Sequence, residues 1–220
     1  MLSKIFRFLL GILLIPVDIG YALAFSENLM AIRQVRASEL YFLLGITGYL
    51  AFHVMVAAPM KAYVFSHELM HAAAAWVSGG QVKGFKVGSK KGSVTTNKIT
   101  AFVALAPYLV PVYAILWALG FGAASLFWKT SSWAWLFFLG LGVWLTFHLV
   151  FTVTVLKQKQ SDLDLVGPLV ALDLILLGNI TLVLGAMSLV VPEIHFPSYL
   201  VDGFRYSGAT YRIIFTQLFG

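Results

Sequence analysis

Long apolar runs separated by short polar links set the outline of this chain. The first run extends from about Ile5 to Phe25, follows a basic start at Lys4 and Arg7, and contains Pro16 and Asp18. Ala22-Leu23-Ala24 has the spacing of a leader-cleavage site. The run is long and interrupted, so we read residues 1–24 as part of an uncleaved first span. A charged connector follows, with Arg33 and Arg36. Apolar residues then dominate from about Leu40 to Val77, too far for one crossing, and Pro59-Met60-Lys61 divides the stretch into a second and a third span. Residues 79–100 change character. Val82, Phe85, Val87 and Val94 mix with glycine and lysine, and Gly88 to Gly92 supplies turn chemistry, which predicts a short β-hairpin at the membrane surface. A fourth span, about 101–128, is interrupted by Pro107 and Pro111, and a fifth, about 133–156, carries His148. A polar link leads into Asp162-Leu163-Asp164 and a sixth span over about 165–191. The tail, 192–220, is rich in Tyr and Phe with Arg205 and Arg212, a composition that suits an interfacial segment.

The pattern predicts an all-α polytopic membrane protein of about six transmembrane helices with a small β-hairpin insert. One integral membrane domain would cover 1–220: a first span and connector (1–38), a core (39–191) holding the insert 79–100, and the tail 192–220. Composition agrees, with 60% hydrophobic and 11% charged residues and a mean hydropathy of +0.89. The chain has no cysteine, which removes disulfides, thiolate-bound metal and thiol nucleophiles. The net charge of +6 resides mostly in short loops, so it points to the lipid bilayer as a partner and not to nucleic acid. Lys83, Lys86, Lys90, Lys91 and Lys98 of the hairpin, with the 157–160 link, would face the cytoplasm, although Lys4 and Arg7 favour the opposite orientation.

Residues 67–71 read His-Glu-Leu-Met-His inside the third apolar run. Two histidines at i and i+4 share a helix face and can bind one Zn2+, while Glu68 is placed as the general base that activates a zinc-bound water. With five His and four Glu in 220 residues, random placement yields the motif roughly 0.002 times. Ionisable side chains at membrane depth are costly and point to function. The bland reading is a polar network of two core histidines and a glutamate.

A catalytic zinc takes three protein ligands and keeps one position open. Asp162, Asp164, Glu193 and Asp202 lie downstream. The motif helix leaves the membrane near Gly79. Two further spans return the chain to that side at the 157–162 link, whereas crossing the sixth span puts Glu193 and Asp202 opposite. Asp162 and Asp164 are therefore within reach. Asp162, just after Ser161, also sits where a helix N-cap is favoured. Asp173 would share its helix face about three turns on, either deeper in the same cavity or paired with Lys61 or a backbone group.

Taken together, these features resemble the site-2 protease family of intramembrane zinc metalloproteases. His67-Glu68-Leu69-Met70-His71 is followed by small residues, Gly79-Gly80, a valine-rich β insert and the proline-interrupted Ala104–Pro111 segment. Ser161-Asp162-Leu163-Asp164-Leu165-Val166 is similar to the Ser-Asp-x-Asp-x-Leu segment of a compact bacterial branch. The resemblance covers about residues 55 to 190. It implies that His67, His71 and Asp162 bind zinc, that Glu68 is the base, and that the protein resides in a bacterial cell membrane. Better-known members carry the third aspartate in an Asn-Pro…Leu-Asp-Gly segment. This chain has no Asn-Pro, and Phe196–Gly203 is the stretch similar to that signature, which keeps Asp202 and Asp164 as alternative ligands. Asn97, Tyr108 and His148 are the candidates for stabilising an oxyanion.

The expected function is zinc-dependent intramembrane endopeptidase activity on transmembrane proteins or peptides. Two other readings stand beside it. One is a non-catalytic scaffold of the same fold, for which Glu68 would be superfluous. The other is a metal or proton transporter using His53, His148, Asp173 and the His67–His71 pair.

Overall fold

The computed structural model describes residues 4–89, 91–158 and 160–220; Lys90 and Lys159, two of the basic loop residues above, lie outside them. Nearly all of the described chain is helical, with one two-stranded sheet. It forms two compact units, the segment through Val35 with Val166–Gly220, and Arg36–Leu165.

The first unit contains α1 (Lys4–Met30), α8 (Pro168–Ser188) and α9 (Phe196–Phe219). α1 runs unbroken through Pro16. α9, the expected interfacial tail, is a helix along α1, held by Ser207 Oγ to the Val17 carbonyl at 3.3 Å and by the Tyr211 hydroxyl to the Leu13 carbonyl. Asp173 does not share a helix with Asp162. The backbone breaks at Gly167, whose φ is 104°, and Pro168 starts a new helix. Asp173 therefore lies in α8, where its carboxyl hydrogen-bonds to Asp18 of α1.

The second unit contains α2 (Ala37–Met55), α3 (Met60–Val77), β1 (Val82–Val87), β2 (Gly92–Thr96), α4 (Ala101–Leu109), α5 (Val112–Phe127), α6 (Ala134–Leu156) and α7, which starts at Ser161. α2 begins where the Arg36 N–H donates to Glu39 Oε2 at 2.7 Å, leaving few orphan donors at its first turn. Pro59 separates α2 from α3, and Gly79, at φ 75°, ends α3 in the left-handed conformation that glycine adopts without strain. The chain then turns into the hairpin. Its strands pair antiparallel from Val87–Gly92 to Val82–Thr96, with a register irregularity between Val82 and Gly84. Thr100 caps α4 by accepting from the Val103 N–H at 3.2 Å. The Val110-Pro111 step bends α5 66° away from α4, since Pro111 offers no N–H and disfavours a helical residue before it.

Among the described residues, four helices are long and apolar enough to cross a membrane: α1, α2, α6 with its preceding turn, and α8. The bent α4–α5 pair makes a fifth when taken as one span. Their outward residues, such as Ile5, Phe8 and Leu13 of α1 and Leu40, Leu43 and Leu44 of α2, are large, apolar and exposed, as lipid requires. The chain is thus a helical membrane protein. α3, the third span of the sequence pattern, falls outside this set because Lys61, His67, Glu68 and His71 make it more polar than the others.

Candidate metal centre

Alanine is the reason the motif helix can be approached closely. Ala74 and Ala75 of α3 form a buried cluster with Val103 and Ala106 of α4, flanked by Met70 and Val82. Small side chains on both helices bring the α4 backbone near α3. That approach places the Val103 carbonyl 2.8 Å from His71 Nδ1. A carbonyl only accepts, so His71 carries its proton on Nδ1, and Nε2 of the neutral ring is left as a lone pair. His67 Nδ1 is held at 3.0 Å by the Tyr63 hydroxyl, one turn earlier on α3. Tyr63 is locked in turn by parallel stacking on Phe151, with ring centroids 4.8 Å apart.

Both Nε2 atoms point at Asp162. Its Oδ2 lies 3.4 Å from His71 Nε2 and 3.8 Å from His67 Nε2. The three ligand atoms fall within 4.8 Å of one another, and His67, His71 and Asp162 are the one metal-capable trio found among the described residues. An imidazole lone pair facing a carboxylate oxygen is acceptor against acceptor. Positive charge between them, a proton or a metal ion, satisfies both. Tetrahedral ligands about 2.1 Å from zinc stand about 3.4 Å apart, so the His71–Asp162 spacing fits and His67 needs a shift of a few tenths of an ångström. The trio could therefore hold a metal ion, and two imidazoles with a carboxylate are a donor set that zinc accepts. Tyr108, fully buried on α4, donates its hydroxyl to Asp162 Oδ2 at 3.1 Å and sets the carboxylate's orientation. Burial acts to raise the Asp162 pKa, but imidazoles of His67 and His71 that carry a proton on Nε2 outweigh it through hydrogen bonds and charge and hold the group below the usual carboxylate range. A metal ion in place of that proton would favour the same anionic form of Asp162.

Glu68 is buried, at 7% exposure, and lies against Gly92 at the start of β2. A Cβ at Gly92 would overlap Glu68 Cγ and come within 2.8 Å of its Oε1. Gly92 does not have a positive φ, so glycine is required there for space. The sequence pattern placed Gly92 in a turn, and its closeness to Glu68 is visible in the fold alone. Two cavities flank Glu68. One, of about 670 Å³, is lined by all of β2 with His67, Glu68, His71 and Asp162. The other, of about 720 Å³, lies beside Met60, Tyr63, Lys91 and Gln158.

The remaining sequence candidates sit elsewhere. Asp164 is exposed on α7, two residues from Asp162 and on another face. Asp202 is in α9 of the first unit, ion-paired with Arg205 at 3.1 Å. Asn97 Oδ1 accepts from the Gln81 N–H at 2.7 Å and closes the base of the hairpin. His148 is buried in α6 near Ser66 and Tyr113, and His53 pairs with Tyr49 at 3.1 Å in α2.

The chain matches no family model, no curated protein and no solved structure.

Tyr63 escaped sequence reasoning although its signal was present, since 63, 67 and 71 are successive i, i+4 positions on one stripe. The Val103 carbonyl had none, because any residue type offers the same backbone oxygen.

Proposed function

We propose that the protein is a zinc-dependent intramembrane endopeptidase, as its resemblance to site-2 proteases implies. The observation that carries the proposal is the convergence of two histidine Nε2 atoms, that of His71 with its tautomer set by the Val103 carbonyl, and one carboxylate beside a buried glutamate. A bare scaffold has no use for that glutamate.

His67, His71 and Asp162 would hold the zinc. When bound, zinc polarises a peptide carbonyl and acidifies water at the site. Glu68, adjacent in sequence to a ligand and held in place by Gly92, receives a proton from the attacking water and passes it to the departing amine. α3 acts as a further span beside those five. Its polar face is turned to neighbouring helices and the cavity, so it does not need the apolarity of a lipid-facing helix. The hairpin lies on the cytoplasmic side, following its lysines.

The substrate is a transmembrane protein or peptide. It must present an extended backbone, because helical peptide groups are already hydrogen-bonded internally. β2 pairs only with β1 among the described residues, and its five residues line the cavity that contains the trio. The edge of β2 away from β1 would take the substrate as an added strand. Val94 and Thr95 are neighbours in this strand, so one aims its N–H at β1 and the other at the open edge. Proline at the edge-facing position should lower turnover by about tenfold with zinc content unchanged. Wild-type turnover in both Val94→Pro and Thr95→Pro would exclude strand addition.

The function is tested by metal analysis and cleavage together. We expect one zinc per chain. Cleavage of a transmembrane model substrate in detergent should stop on chelation and return with stoichiometric zinc. Protein that binds no zinc after reconstitution would remove the proposal and favour the scaffold.

A further inference from the structure

We propose that the second cavity, the one beside Lys91, is a substrate subsite that selects a carboxylate-bearing residue on one side of the cleaved bond. This rests on the hydrolytic reading above and adds the substrate chemistry that reading leaves open. The two cavities share a wall made of His67, Glu68, Gly92 and Gln160. At Gly92 the wall has no side chain, and none can be added without displacing Glu68. A polypeptide laid along β2 in the first cavity and continuing past Glu68 enters the second. The residues on the two sides of the scissile bond therefore meet different surroundings.

Those surroundings differ in charge. The first cavity presents Val94, Ile99, Val103 and Leu165 with the carboxylate of Asp162. It suits apolar or small residues, since the Asp162 charge would be taken up by the metal it holds. The second is lined by the apolar Met60, Val64 and Val155 together with Lys91, Gln158 and Gln160. Among the described residues lining it, Lys91 is the sole cation and Glu68 the sole acid. A substrate Glu or Asp there meets an ammonium and amide donors, whereas a Lys meets like charge. The Lys91 backbone carbonyl accepts from the Gly88 N–H at 2.9 Å and closes the turn, so changing its side chain leaves that bond in place.

The probe is a series of transmembrane peptides carrying Glu, Gln or Lys at each position next to the scissile bond. Each is assayed for kcat/KM with zinc-loaded wild type, Lys91→Ala and Lys91→Glu in detergent. Wild type should prefer Glu to Lys about fivefold, on one side of the bond only. Lys91→Ala should lose the preference and Lys91→Glu should invert it, with zinc content the same in all three. A preference that survives Lys91→Glu, or that is equal on both sides, overturns the subsite. Binding of the same peptides, labelled, to Glu68→Gln and to Glu68→Gln/Lys91→Glu separates this proposal from the hydrolytic one. If wild type cleaves nothing yet binding still favours Glu and inverts with Lys91→Glu, hydrolysis fails and the subsite stands. If binding shows no charge preference, the subsite falls whatever the cleavage result.

Discussion

Glu68→Gln will retain zinc and lose proteolysis. The glutamine keeps the shape of the buried side chain and its fit against Gly92, so the helix, the hairpin and the three ligand atoms are undisturbed. It cannot accept a proton from water. Removing a positioned general base typically costs about 10² to 10⁴ in rate, and a turnover drop of that size is expected with one zinc per chain unchanged. The comparison needs metal content and cleavage on the same preparation. Loss of both together would mean that Glu68 supports the metal centre and does not act on the substrate. Near-wild-type turnover would remove the proposed mechanism altogether.

Asp162→Ala will lose the metal. Changes to groups that merely orient metal ligands cost about 10- to 100-fold in affinity, and removal of a ligand should exceed that. Truncation here also leaves the His67 and His71 Nε2 atoms without the anion that lies 3.8 and 3.4 Å from them. The Tyr108 hydroxyl loses its acceptor as well. Zinc should therefore be recovered only at metal concentrations far above those that saturate wild type, and cleavage should be undetectable at stoichiometric zinc. Full zinc occupancy in Asp162→Ala would pass the ligand role to Asp164 or Asp202. Asp164 would then have to turn inward from the exposed face of α7, and Asp202 would have to leave Arg205.

Much of this architecture can be read along the chain, and the failures have physical causes. The hairpin over 82–96 was legible from valines set among glycines and lysines, because strand pairing over a short turn is a local event. The break after Pro59 and the bend at Pro111 were legible because proline alters the backbone wherever it stands. The Gly167-Pro168 break carried the same kind of signal. Reading one continuous sixth span over it put Asp173 on the face of Asp162, when its partner is Asp18. The span pattern also took α3 for a helix like the others, although the residues that make it chemically interesting make it less apolar.

The candidate site divides along the same line. His67, Glu68 and His71 occupy one helical turn, and their relative placement follows from 3.6 residues per turn without reference to anything else in the protein. Tyr63 belongs to the same stripe. Asp162 is different. Counting membrane crossings narrowed the third ligand to Asp162 or Asp164, and the resemblance kept Asp202 beside them, but none of them is local to the motif. Packing of buried alanines on α3 against α4 delivers the Val103 carbonyl that fixes the His71 tautomer. The α4 helix also carries Tyr108, which orients Asp162. The bare backbone of Gly92 admits Glu68 and opens the wall between two cavities. Local sequence sets which groups can do chemistry, since dihedral preferences and periodicity act over a few residues. Their convergence on one point depends on contacts between segments far apart in the chain, where a backbone oxygen or an absent side chain counts as much as any motif.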